Sequence, residues 1–240
     1  MQHKTALITG ASRGIGRAIA CAYAAAGYDL YLTCIHSHEQ LYALCRALSD
    51  RHKITATPFV GDMGDFETVK TLFSQIGRLD VLINNAGISH IGLLSDMTPE
   101  EWHRLMSTNL DACFYTSKLA IPRMVHEKSG RIINISSVWG NVGASMETAY
   151  SASKGAVNSL TRALAKELAP SNILVNAIAC GVIDTDMNHC FSEEEMQMLI
   201  EEIPADRLGR PEEVAALALQ LAEAPAYMTG QIITIDGGFL

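Results

Sequence analysis

An apolar run at residues 6–9 ends in Thr9-Gly10-Ala11-Ser12-Arg13-Gly14-Ile15-Gly16, and a helical pattern begins at once over 15–26. A strand that feeds a helix through a glycine turn is the opening unit of a parallel α/β sheet. Gly10 permits a tight turn, Gly14 lets the backbone approach a pyrophosphate, and Gly16 lets the helix pack close to the sheet. The helix N-terminus then offers unpaired N–H groups and a positive dipole end to those phosphates.

The rest of the chain repeats this rhythm. Strand patterns fall at 6–9, 30–35, 55–60, 81–84, 131–136, 173–178 and 231–235. Helical patterns lie between them at 15–26, 39–51, 66–76, 99–119, 150–168 and 211–222. Several strands are almost wholly apolar, as expected when helices cover both faces of a sheet. The expectation is a doubly wound α/β domain, single over residues 1–240. One segment, 184–210, breaks the rhythm: it is rich in Met and carries Glu193, Glu194, Glu195, Glu201 and Glu202. It reads either as a helical insertion with a solvated face or as a lid over a substrate.

Composition excludes several functions. A net charge of −8 argues against phosphate-backbone binding to nucleic acid and against an anionic membrane surface. No apolar run approaches the roughly 18 residues of a membrane span, and the first residues lack signal-peptide organisation. The cysteines at 21, 34, 45, 113, 180 and 190 show no C-x-x-C spacing, which points to free thiols in a reducing cytoplasm. The histidines make no ligand-spaced pair, and no metal site is expected.

The reactive pair is Tyr150 and Lys154. Four residues apart on a helix, they share a face. A free phenol has a pKa of about 10, and a fixed positive charge nearby favours the phenolate. Lowering that value by about 3 units takes roughly 4 kcal/mol. Tyr150 would then be a proton donor to a substrate oxygen. Cofactor choice is read at the end of the second strand, Thr33-Cys34-Ile35-His36-Ser37-His38, where no carboxylate precedes Glu39. With Arg13 available to a 2′-phosphate and His36 and Ser37 as further donors, NADPH is favoured over NADH.

These residues together resemble the short-chain dehydrogenase/reductase family over essentially the whole chain. The matching elements are Thr9 to Gly16, Asp62 after the third strand, Asn84-Asn85-Ala86-Gly87 after the fourth, Asn109, Ser137, and Tyr150 with Lys154. The resemblance implies that Tyr150 is the general acid in carbonyl reduction and that Lys154 lowers its pKa and binds the nicotinamide ribose. It implies that Ser137 holds the substrate oxygen and that Asn109 positions a water linking Lys154 to solvent. Cofactor contacts are expected from Gly10, Ser12, Arg13, Gly14, Ile15, Gly16, His36, Ser37, Asp62, Met63, Asn84, Ala86, Gly87, Gly181, Ile183 and Thr185. The resemblance also implies a Rossmann-like fold with a parallel sheet of about seven strands, assembled as a homotetramer. Cys180 departs from the family, which usually has proline there, and the freed φ suggests a more mobile loop.

Substrate choice stays open. The pattern resembles 3-oxoacyl-[acyl-carrier-protein] reductases, whose acidic partner is met by basic residues. Lys128 and Arg131 are available for that, but Pro170-Ser171-Asn172 is uncharged. The stretch from Val138 to Tyr150 also resembles elongation factor P 5-aminopentanone reductases, which reduce a ketone on an amine-bearing lysine modification. Trp139 and Glu147 would suit that cation, unless they are simply packed and solvated. A non-catalytic dinucleotide-binding protein on this fold would be expected to lose Tyr150 or Lys154.

Overall fold

A computed structural model describes residues 3–188 and 191–240. In chain order the elements are β1 (Thr5–Ile8), α1 (Gly14–Ala25), β2 (Asp29–Cys34), α2 (His38–His52), β3 (Ala56–Val60), α3 (Phe66–Gln75) and β4 (Val81–Asn84). Next come α4 (Pro99–Met106), α5 (Ala112–Glu127), β5 (Gly130–Ser137), α6 (Trp139–Val142), α7 (Thr148–Leu168) and β6 (Ile173–Cys180). The chain continues through α8 (Glu193–Glu201) and α9 (Pro211–Ala222) to β7 (Ile232–Ile235).

All strand pairs are parallel, in the order β3-β2-β1-β4-β5-β6-β7. The chain winds outward from β1 to β3, then returns to pair β4 with β1 and winds the other way. That reversal opens a crevice at the carboxyl ends of the strands, where such sheets bind ligands. The pleat sends successive residues to opposite faces. Ile8 packs with Ile19, Leu41 and Val214 of α1, α2 and α9. Leu7 packs with Leu72, Ala120 and Ala165 of α3, α5 and α7. The seven strands and both covered faces agree with the sequence reading.

Two regions differ from it. The helical pattern at 99–119 is three pieces: α4, a π-turn over Ser107–Asp111, and α5. The last runs on past Pro122 to Glu127. Proline removes a donor and interrupts the pattern, yet Ala120 and Met124 on either side are fully buried and hold the helix in place. The 184–210 segment contains a 3₁₀ turn at Asp186–Asn188 and α8, whose N-terminus is closed by a Ser192–Glu195 capping box.

Five cysteines are unpaired, and Cys190 lies outside the described residues. No described helix is long and apolar enough to cross a membrane.

Candidate active site

The crevice is a cavity of about 980 Å³, large enough for an extended dinucleotide and a small substrate. Its cofactor end is the turn between β1 and α1. Gly10 has φ 65°, and a Cβ there would lie 2.9 Å from the Ala86 Cα. At Gly16 a Cβ would stand 2.3 Å from the Gly10 carbonyl oxygen, so no side chain fits. Ser12, Arg13, Gly14 and Ile15 complete the lining on this side. A cradle that side chains would fill, opening onto a helix N-terminus, fits the pyrophosphate of a nicotinamide dinucleotide.

His36 and Ser37 line the cavity beyond β2, and Asp62 and Met63 beyond β3. The Asp62 carboxylate accepts from the Gly64 N–H at 2.8 Å, which fixes the turn. Ala86 and Gly87 line the middle, and Gly181, Ile183 and Thr185 the far side.

Asn84 is a correction. Its side chain turns into the core, where Nδ2 donates to Asn134 Oδ1 (2.9 Å) and Ser117 Oγ (3.3 Å) and Oδ1 accepts from Thr116 Oγ1 (2.7 Å). Asn84 is the last residue of a strand buried on both faces, and its side chain follows the pleat toward α5. Asn85, the first residue past the strand, reaches the cavity instead. Its Nδ2 donates to the carbonyls of Thr9 (2.9 Å) and Gly10 (3.0 Å) and braces the glycine turn.

The chemical end is built by β5 and α7. Ser137, at the end of β5, lines the cavity with Tyr150, favours its phenolate, and accepts from the Trp139 N–H at 3.2 Å. Its neighbour Ser136 points away, donating to the Lys154 carbonyl at 3.4 Å. The choice of Ser137 over Ser136 therefore agrees with the geometry. Tyr150 sits in the first turn of α7, and Lys154 lies one turn on, with Nζ 5.6 Å from the Tyr150 ring centroid. Lys154 is 5% exposed, and its ammonium donates to the Ile135 carbonyl at 2.9 Å.

Burial dominates the titration of this pair. It pushes the Tyr150 phenol above its usual range, against the influence of Ser137, and pulls the Lys154 ammonium below its own.

Asn109 lies in the π-turn and is fully buried. Its Oδ1 accepts from the Ile88 N–H (2.8 Å), and its Nδ2 donates to the Ile88 carbonyl (2.9 Å) and Ser153 Oγ (3.0 Å). The amide thus ties the loop after β4 to α7.

Cys180 ends β6, its carbonyl accepts from the Val138 N–H at 2.9 Å, and its thiol is pushed up to about 12 by burial. Such a thiol is inert.

Beside Tyr150, Trp139 in α6 lines the cavity with Glu147 and stacks edge-on with Phe239 at 5.6 Å. Glu147 stands at the N-cap of α7, where the helix dipole favours its charge, yet burial raises its pKa. Met187, Phe191, Glu195, Met198 and Glu202 roof the cavity. These residues were not singled out individually from sequence; the Met-rich, acidic character of 184–210 was their signal. Arg13 meets the same roof: its Nη1 lies 3.5 Å from Asp186 Oδ2.

A short chain dehydrogenase family model matches residues 4–196. The chain belongs to the short-chain dehydrogenase/reductase family. It is an oxidoreductase that uses a nicotinamide cofactor. Two relatives are each 39% identical: an uncharacterized oxidoreductase, YmfI, of Bacillus subtilis (99% of each chain) and 3-oxoacyl-[acyl-carrier-protein] reductase FabG of Aquifex aeolicus (99% of this chain, 98% of that one). Among solved structures, YwfH, an NADPH dependent reductase involved in bacilysin biosynthesis, superposes with a TM-score of 0.94. That chain is 31% identical, with 100% of this chain and 99% of that one covered.

Proposed function

We propose that this chain is an NADPH-dependent ketone reductase in which Tyr150 protonates the substrate oxygen. The observation that carries this reading is that Ser137, Tyr150 and Lys154 line one cavity together, with the Lys154 ammonium 5.6 Å from the Tyr150 ring centroid. Ser137 and Tyr150 together hold a carbonyl oxygen. The bound nicotinamide supplies the hydride to the carbonyl carbon. Tyr150 gives its proton to the oxygen, and Lys154 stabilises the phenolate left behind in a buried setting. Asn109 acts by fixing Ile88 and Ser153 around this pair. The absence of a carboxylate at the end of β2, with Arg13 and Ser37 lining the cavity, supports the phosphorylated cofactor.

Two substrates are compatible with the fold, and the FabG relative favours a 3-oxoacyl chain on acyl carrier protein. The charge around the cavity favours the other reading, the 5-aminopentanone group of elongation factor P. Glu147, Glu195 and Glu202 line the cavity beyond Tyr150, while Lys128 and Arg131 sit at the amino end of β5, about 20 Å of strand away from Ser137. Carboxylates suit an ammonium and repel an acidic carrier. A cytoplasmic homotetramer is part of this proposal, supported by the unpaired thiols and by the exposed Phe114 on α5.

The test is NADPH oxidation with acetoacetyl-coenzyme A and, in parallel, with ketone-modified elongation factor P. Turnover with the modified protein alone supports the aminoketone reading. Efficient turnover of the thioester alone assigns the 3-oxoacyl reading. Turnover of neither removes both.

A further inference from the structure

The cation expected to read the 2′-phosphate of NADPH is engaged by the cavity roof. Arg13 Nη1 lies 3.5 Å from Asp186 Oδ2, and both side chains line the cavity. They belong to different parts of the chain: Arg13 precedes α1, and Asp186 opens the 3₁₀ turn that leads from β6 into the roof. The residues next to them are close as well, since a Cβ on Gly14 would lie 3.3 Å from the Thr185 Cγ2. The side chains are 66% and 50% exposed.

We infer that Asp186 is a specificity-determining residue that competes with the cofactor's 2′-phosphate for Arg13. The inference rests on the reading of Arg13 as the phosphate-binding cation. A contact of 3.5 Å between half-exposed groups is a loose charge contact rather than a bidentate clamp, so a phosphate dianion can take the guanidinium from it. The displaced carboxylate stays near the phosphate and opposes it. Asp186 therefore weakens binding of the phosphorylated dinucleotide and leaves the unphosphorylated one nearly untouched. The roof and the 2′-phosphate share one guanidinium.

Calorimetric titration of NADP⁺ and NAD⁺ tests this without turnover, using the full chain, Asp186→Asn, Arg13→Ala and the double variant. Asp186→Asn is expected to tighten NADP⁺ about 2- to 5-fold at low salt and NAD⁺ by less than about 1.5-fold, the scale of one exposed charge pair. The gain should fade at high salt and vanish in the Arg13→Ala background. Equal tightening of both dinucleotides, no tightening of NADP⁺, or a gain that persists without Arg13 overturns the inference. If Arg13→Ala leaves the preference for NADP⁺ intact, the Arg13 reading itself fails and the inference with it. If that preference is lost while Asp186→Asn changes nothing, the inference alone fails.

Discussion

The Lys154 ammonium donates to the Ile135 carbonyl at 2.9 Å, which ties α7 to the strand that carries Ser137 two residues further on. One side chain thus places its ammonium 5.6 Å from the Tyr150 ring centroid and links the two elements that carry Ser137 and Tyr150. Replacing it removes both contributions. Lys154→Met is expected to lower turnover by more than about 10²-fold and to weaken dinucleotide binding, with the Ile135 carbonyl left unpaired. Lys154→Arg should not restore activity, because a planar guanidinium cannot occupy a site built for a point donor. Steady-state kinetics with fluorescence titration of NADPH checks both.

Tyr150→Phe keeps the ring and removes only the hydroxyl. Turnover should fall about 10³-fold or more, while NADPH affinity stays within a few fold and the melting temperature is nearly unchanged. Undiminished turnover in this variant would remove Tyr150 as the proton donor.

At Gly16 the hypothetical Cβ meets backbone, 2.3 Å from the Gly10 carbonyl oxygen, so nothing flexible can give way. Gly16→Ala must push α1 off the turn that cradles the pyrophosphate. Both thermal stability and dinucleotide affinity should drop, the latter by more than about 10-fold, in contrast to an ordinary exposed Gly→Ala change. Calorimetric titration and a melting curve measure the pair of effects.

Much of this arrangement is legible in the sequence, and its illegible parts have physical causes. The apolar strands and the Gly10–Gly16 turn announce a doubly wound sheet because each local pattern agrees with the fold. Tyr150, Lys154 and Ser137 are legible because a one-turn helical spacing and a strand end suffice to bring them together. The direction of Asn84 is not, since a strand buried on both faces carries no polar alternation to say which way its last residue points. The passage of α5 through Pro122 depends on burial of Met124 against the sheet, which a propensity argument cannot see. Phe239 against Trp139 and Asp186 against Arg13 are contacts between distant parts of the chain, with no local signature at either end.

Asn84 anchors a polar network inside the sheet with Asn134, Thr116 and Ser117, and Asn134 Nδ2 continues it to Thr161 Oγ1 at 2.8 Å. Asn84→Ala would leave buried partners unpaired. A loss of about 1–3 kcal/mol in stability is expected from denaturant unfolding. Dinucleotide affinity should change far less than in Gly16→Ala, because Asn84 lies beneath the cavity wall rather than on it.

Glu147 joins substrate preference to stability. Its carboxyl is held above the usual range chiefly by burial beside Tyr150, with Trp139 opposing the shift. A carboxyl whose pKa is higher in the folded than in the unfolded chain favours folding most when protonated. Its ionisation therefore costs stability as pH rises through the unfolded value of about 4.3 toward the folded one, and the cost is constant above that. Glu147→Gln removes the charge and keeps an oxygen for Trp139. The variant should melt higher than the parent at pH 7, and the gain should shrink as pH falls through the raised folded value and be gone below about 4.3. The same change should raise KM for an amine-bearing ketone about 10-fold or more while altering that for a neutral ketone little. A carboxylate retained against stability and felt only by a cationic substrate would be one that binds it. A uniform effect on both ketones would instead make Glu147 a packing residue at the start of α7.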